Sequence, residues 1–143
     1  MANYPEKLYL LLSDLKLIDD RDELGDLLIE CASRFTDVPT SIATRPFPSS
    51  NKVPGCESEA YVWAKNDPNL GIKFYFAVEN PHGISAKALS VILDETLSGL
   101  IPEEIALVKE EIVYDIFGPQ ITMGRGQGLM SMVAMAKALA KRG

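Results

Sequence analysis

The sequence predicts an α+β chain in which helices flank one antiparallel hairpin. Three observations carry this. Apolar residues recur at helical spacing as far as Phe35, they alternate along the chain between positions 58 and 79, and helical spacing returns from Ser85 onward. A length of 143 residues fits one domain, 1–143, with a core large enough to stand alone.

Leu8, Leu11, Leu12 and Leu15 form a first helical stripe, and Leu24, Leu27, Leu28, Cys31, Ala32 and Phe35 form a second. Asp19, Asp20 and Asp22 stand where the second helix starts, and carboxylates there suit the positive end of the helix dipole. Both read as packing helices. From 36 to 52 the periodicity stops, and Pro39, Pro46 and Pro48 among Ser and Thr residues mark an extended loop. Structureless chain of that length is uncommon in a compact domain unless it serves a site.

Alternation then takes over. Ser58, Ala60, Val62 and Ala64 share one face of a strand, with Glu59, Tyr61, Trp63 and Lys65 on the other. Asn66-Asp67-Pro68-Asn69 reads as a turn, and a second strand over 70–79 turns Ile72, Phe74, Phe76 and Val78 to the core. Small residues on the first strand leave room for helices to pack closely. Ser85 is placed to cap a helix carrying Leu89, Ile92, Leu93 and Leu97 and ended by Gly99. Pro102 opens a short helix with Ile105 and Val108, and residues 110–117 make an amphipathic piece stopped by Gly118-Pro119. The last helix is predicted from near Gly126 through Leu129, Met132, Val133, Ala136, Leu139 and Ala140. Its basic end, Lys137, Lys141 and Arg142, suits the negative end of the dipole.

Fourteen basic and 20 acidic residues give a net charge of −6. Phosphate backbones and anionic lipid surfaces repel such a chain, so neither nucleic acid nor membrane is an expected partner. A protein with a basic patch suits it better, although an acidic average is also ordinary for a solvated surface. No apolar run reaches bilayer-spanning length, and the start lacks the basic-then-apolar order of a secretory signal. The expected location is cytoplasmic, with both cysteines as free thiols. Cys31, inside a helical pattern, reads as a core residue.

Cys56 is different. In Val53-Pro54-Gly55-Cys56-Glu57-Ser58 it follows a Pro-Gly turn signal, where Pro presets the backbone and Gly supplies a positive φ. The thiol is expected on a sharp corner, with burial as a small hydrophobe the competing reading. Glu57 and Glu59 beside it disfavour the thiolate unless Arg125 or a helix end offsets them, so reactivity is expected to wait for a docked partner. His82, the single histidine, is either an exposed turn residue or a base for Cys56. Gly124-Arg125-Gly126-Gln127-Gly128 lacks the ending of a P-loop and reads as a loop-to-helix junction rather than a phosphate site. Cys31, Cys56 and His82 show no paired spacing, so no metal site is expected.

The cysteine turn, with Glu59 and an aromatic-bearing strand after it, resembles the Gly-Cys-x-Ser turn of the SufE/CsdE sulfur-acceptor proteins of iron–sulfur cluster assembly. Arg125-Gly126-Gln127-Gly128-Leu129, then Met132, resembles that family's Arg-x-x-Gly-Leu helix start. The resemblance spans essentially the whole chain. It implies a small antiparallel sheet packed on one side by helices, similar to SufE- and IscU-type folds. It also implies that Cys56 accepts sulfur from the persulfide of a SufS/CsdA-type cysteine desulfurase, activates that enzyme, and hands the sulfur to an iron–sulfur scaffold complex. The chain is then an accessory carrier rather than an enzyme. It needs no cofactor of its own, because pyridoxal phosphate (PLP) belongs to the desulfurase. Arg125 matches the family arginine, as an anion stabiliser or a partner contact, and Pro54, Gly55, Glu57 and Ser58 fall on the surface that meets the partner. His82 carries no role over from the family. The alternative is a small cysteine-dependent enzyme using Cys56 with His82.

Overall fold

The computed structural model describes residues 3–142. Helices α1 (Glu6–Lys16) and α2 (Arg21–Ser33) come first, then a long segment with one 3₁₀ turn at Ser49–Asn51. Strands β1 (Ala60–Asp67) and β2 (Gly71–Val78) follow, then helices α3 (Ile84–Leu97), α4 (Pro102–Ile105), α5 (Ile112–Phe117) and α6 (Met123–Arg142). The architecture is α+β, as the sequence predicts. Asp20 caps α2, its carboxylate accepting from the Asp22 N–H at 2.8 Å.

The hairpin pairs Ala60 with Val78 and Asp67 with Gly71. Its inner face presents Ala60, Val62, Ile72, Phe74, Phe76 and Val78 to one apolar cluster, which α3 joins through Leu89, Ile92 and Leu93 and α6 through Leu129, Met132 and Val133. Burying each large side chain contributes roughly 1.5–3 kcal/mol. The division of labour follows from side-chain size: α6 packs on β1, which offers alanine and valine, while α3 packs along β2.

Several element boundaries differ from those predicted. β1 starts at Ala60 rather than Ser58, because Glu57 and Ser58 lie in the turn that Glu59 N–H closes onto Cys56 O, and β2 spans Gly71–Val78 rather than 70–79. β1 runs on to Asp67, whose carboxylate accepts from the Asn69 and Leu70 N–H groups at 2.8 and 3.1 Å and so makes the turn. Gly83 stands at the N-cap of α3, so Ser85 is inside the helix rather than its cap. α5 starts at Ile112, after a turn over 110–111, rather than at 110. α6 starts at Met123 rather than near Gly126, so three glycines lie inside its first turns. The chain leaving α3 pairs with the edge of β2, Gly99 N–H donating to Ile72 O at 2.7 Å. A Cβ at Gly71 (φ +84°) would stand 2.6 Å from Gly99 O, so this close approach requires glycine.

The segment before Cys56 has a role the sequence did not reveal. It covers the outer face of the hairpin. Val38 N–H donates to Phe76 O at 2.9 Å, and the Phe47 ring sits 5.2 Å from Tyr61 and 5.0 Å edge-on to Trp63. Arg45 lies 4.7 Å from the Phe47 ring and pairs with Asp37 (2.9 Å) and Glu79 (2.8 Å). Trp63 is buried in consequence. An outer strand face of aromatics rather than charges exposes apolar area that water disfavours, and this segment removes it.

Candidate functional site

Cys56 stands on a loop that the hairpin holds from both sides. Val53 is buried, its N–H donates to Ala60 O at 2.8 Å, and Lys52 bridges to Tyr61, which closes the loop 54–59 against β1. On the other side Asn80 N–H donates to Ser58 O and Glu79 N–H to Glu59 O, both at 3.1 Å, so pairing continues past the end of the strands. Within the loop Gly55 takes φ +67°, as the Pro-Gly signal predicts. A second turn closes where Glu59 N–H donates to Cys56 O at 3.1 Å, with Glu59 itself at φ +52°, a conformation uncommon for a non-glycine residue.

Exposure divides along the loop. Pro54, Gly55, Glu57 and Glu59 face solvent, whereas Cys56 and Ser58 are half-buried and the Cys56 side chain packs against the main apolar cluster. The thiol is therefore on a corner but turned partly inward, between the two sequence readings.

Two glycines bring the helices to this loop. A Cβ at Gly128 would meet Gly55 O at 3.1 Å and Cys56 Cα at 3.2 Å, and one at Gly83 would meet the Ser58 Cβ and Oγ at 3.0 Å. Glycine is thus what lets α6 and α3 start against the cysteine turn. Between the three segments lies a cavity of about 420 Å³, lined by Cys56, Glu57 and Ser58, by Asn80 and the start of α3 with His82, and by Gly124, Arg125, Gly128 and Leu129 of α6. Cys56, His82 and Arg125, separate in the sequence, share this one cavity.

The cavity carries one guanidinium, that of Arg125. Arg34 holds Glu30 and Glu95, and Arg45 holds Asp37 and Glu79; both guanidinium pKa values are pushed up by these partners. Arg125 is exposed and makes no ion pair among the described residues, so its charge is available to the cavity. The N-terminal ends of α3 and α6 also meet here, 14 and 20 residues long, adding partial positive charge. Glu57 is the one carboxylate of the lining. His82 is exposed and its N–H donates to Asn80 Oδ1 at 2.9 Å, which fixes the turn that puts it on the cavity lip.

Other sequence candidates lie elsewhere. Cys31 is buried with Ala32 and Ala88; burial pushes its thiol up, opposed by the Arg34 guanidinium 3.7 Å away. Among the described residues no group of three or more His, Cys, Asp or Glu could hold a metal, and no helix is long and apolar enough to cross a membrane. Sequence reading missed Gly83 and Asn80, and it took Gly128 as part of a helix start without its contact to the cysteine turn. A signal existed for Gly128, because glycine inside a helix costs about 1 kcal/mol against alanine and so asks for a packing reason. Ile84 and Met123, the first residues of α3 and α6, are exposed apolar side chains beside the cavity.

Residues 10–140 match the family model described as SufE: Fe-S metabolism associated domain. The chain belongs to the SufE family. The Cys56 loop and the Arg125 helix start of this SufE chain both fall within the matched span. A search of curated proteins gave no match. Among solved structures, the chain is similar to the solution structure of a hypothetical protein from Thermus thermophilus, with a TM-score of 0.75 and 22% identity over 97% of this chain and 96% of that one. At that identity the likeness speaks for the SufE fold alone.

Proposed function

We propose that this SufE protein accepts sulfane sulfur onto Cys56 from the persulfide of a PLP-dependent cysteine desulfurase, accelerates that enzyme by clearing it, and passes the sulfur to an iron–sulfur scaffold. The observation that carries the reading is the half-buried thiol in a cavity shared with an arginine that makes no ion pair among the described residues. The Cys56 thiolate attacks the outer sulfur of the enzyme persulfide, a new S–S bond forms, and the enzyme thiolate leaves. The rate of such exchange depends on thiolate fraction, access and leaving group. Arg125 and the two helix ends are placed to stabilise the anionic sulfur before and after transfer. Exposed Pro54, Gly55 and Glu57 and half-buried Ser58 form the surface that meets the partner. PLP stays with the desulfurase, and the setting is cytoplasmic.

The test is incubation with cysteine desulfurases, cysteine and PLP, followed by mass spectrometry. A single added sulfur on Cys56 and faster alanine production are expected, and Cys56→Ser abolishes both. Absence of adduct and stimulation across several desulfurases removes the reading. A second reading, a small enzyme using Cys56 with His82, draws on the placement of His82 in the same cavity. His82→Ala separates them: the carrier keeps most of its transfer, whereas the enzyme loses its activity.

A further inference from the structure

We propose that the Cys56 cavity also binds a free α-amino-acid persulfide, from which Cys56 takes its sulfur without a protein donor. The inference rests on the carrier reading above and adds a small-molecule substrate to it. A volume of about 420 Å³ lies in the range of small-molecule sites, roughly 300–1,000 Å³. The cavity offers three chemically distinct groups: a nucleophilic thiol at Cys56, an uncommitted guanidinium at Arg125, and a single carboxylate at Glu57. They complement the sulfane sulfur, the carboxylate and the ammonium of one zwitterion. An arginine fork recognises a carboxylate by paired hydrogen bonds. The cleft between α2, β2 and α3 makes the contrast. It holds about 320 Å³ and also carries both charges, but there Arg34 is tied to Glu95 and Lys73 to Asp94, leaving no cation for a ligand.

The step balances without an oxidant. Cys56 thiolate attacks the outer sulfur of R–S–SH, the new bond gives Cys56–S–SH, and the old S–S bond breaks with its electron pair on R–S⁻, which takes a proton from water. Sulfane sulfur is transferred and nothing is oxidised overall.

The experiment follows single-sulfur addition to Cys56 by mass spectrometry, with no desulfurase present. The donors are the persulfides of cysteine, of cysteamine, which lacks the carboxylate, and of N-acetylcysteine, which lacks the ammonium. Each rate is normalised to that of the same donor with glutathione. Loading by cysteine persulfide should saturate with concentration and exceed the cysteamine donor by roughly 10- to 100-fold, the range of a charge-assisted hydrogen bond. Arg125→Ala should bring that ratio near one whatever it does to the absolute rate, with Arg125→Lys between. Glu57→Gln should remove the preference over N-acetylcysteine and leave the carboxylate preference. Rates linear in concentration and equal for the three donors, or preferences unchanged in Arg125→Ala, overturn the inference. A parallel arm with a desulfurase separates the failures. If the enzyme loads Cys56 while the free donors show no preference, this inference alone falls. If no donor of either kind loads Cys56, the carrier reading falls with it.

Discussion

Gly128→Ala tests whether α6 sets the position of the cysteine turn, and Gly25→Ala is its control. Both glycines lie inside helices, α6 and α2. Replacing glycine by alanine in a helix contributes about 0.8–1.0 kcal/mol of stability from propensity alone. At Gly25 an added Cβ meets nothing within 4 Å, so that gain should appear in full. At Gly128 the same methyl would stand 3.1 Å from Gly55 O and 3.2 Å from Cys56 Cα. Those neighbours are backbone and must give way by a few tenths of an ångström. Forcing a group into packed space costs typically about 1–3 kcal/mol, so the net effect at Gly128 lies between roughly neutral and 2 kcal/mol destabilising. The two variants should therefore differ by about 1–3 kcal/mol in urea unfolding at unchanged m-value. In the same samples, alkylation of Cys56 should change rate in Gly128→Ala and not in Gly25→Ala. If Gly128→Ala stabilises as much as Gly25→Ala and leaves the thiol rate alone, α6 does not position the turn.

Phe47→Ala should expose Trp63, the only tryptophan. A red shift of its emission and a loss of about 1–3 kcal/mol from the broken ring contacts are expected, and unshifted emission would mean the covering segment is not what shields the strand. Arg45→Ala removes the contacts to Asp37, Glu79 and the Phe47 ring. It should lower Tm at low salt, and the difference from wild type should shrink at 1 M salt, since all these charges are exposed. For Cys31 the folded thiol pKa is raised by burial. Its contribution to stability is full below the unfolded thiol value and lost as pH rises through the folded one, so the free energy of unfolding should fall on the alkaline side, and less steeply in Cys31→Ala.

How much of this was legible in the sequence depends on the range of each interaction. The helices and hairpin were, because a stripe such as Leu8, Leu12 and Leu15 or an alternation such as Ile72, Phe74 and Phe76 is written in neighbouring residues, and all of these proved buried. Boundaries moved where a side chain or a glycine acts across a turn, as Asp67 does at the hairpin tip and Gly83 at the start of α3. The covering segment was illegible. Its periodicity is nil because it follows the sheet's surface instead of its own, and only the unusual aromatics facing outward at Tyr61 and Trp63 hinted that something lies over them.

The site divides the same way. Local chemistry announced Cys56: Pro54 and Gly55 demand a turn, and Gly55 takes its positive φ. Arg125 and His82 had no local signal that joined them to it, since what joins them is the convergence of two helix starts that only the packing of α3 and α6 on the sheet brings about. The glycines near Arg125 looked like a junction because a junction is the commonest reason for glycine. Once α6 begins at Met123, Gly126 and Gly128 are helix-interior residues that sacrifice stability for contact, with Tyr114 in one case and the cysteine loop in the other. That sacrifice ties the cysteine turn to a helix rather than leaving it on a free loop. It holds Cys56 half-buried, at the wall of the cavity that Arg125 also lines.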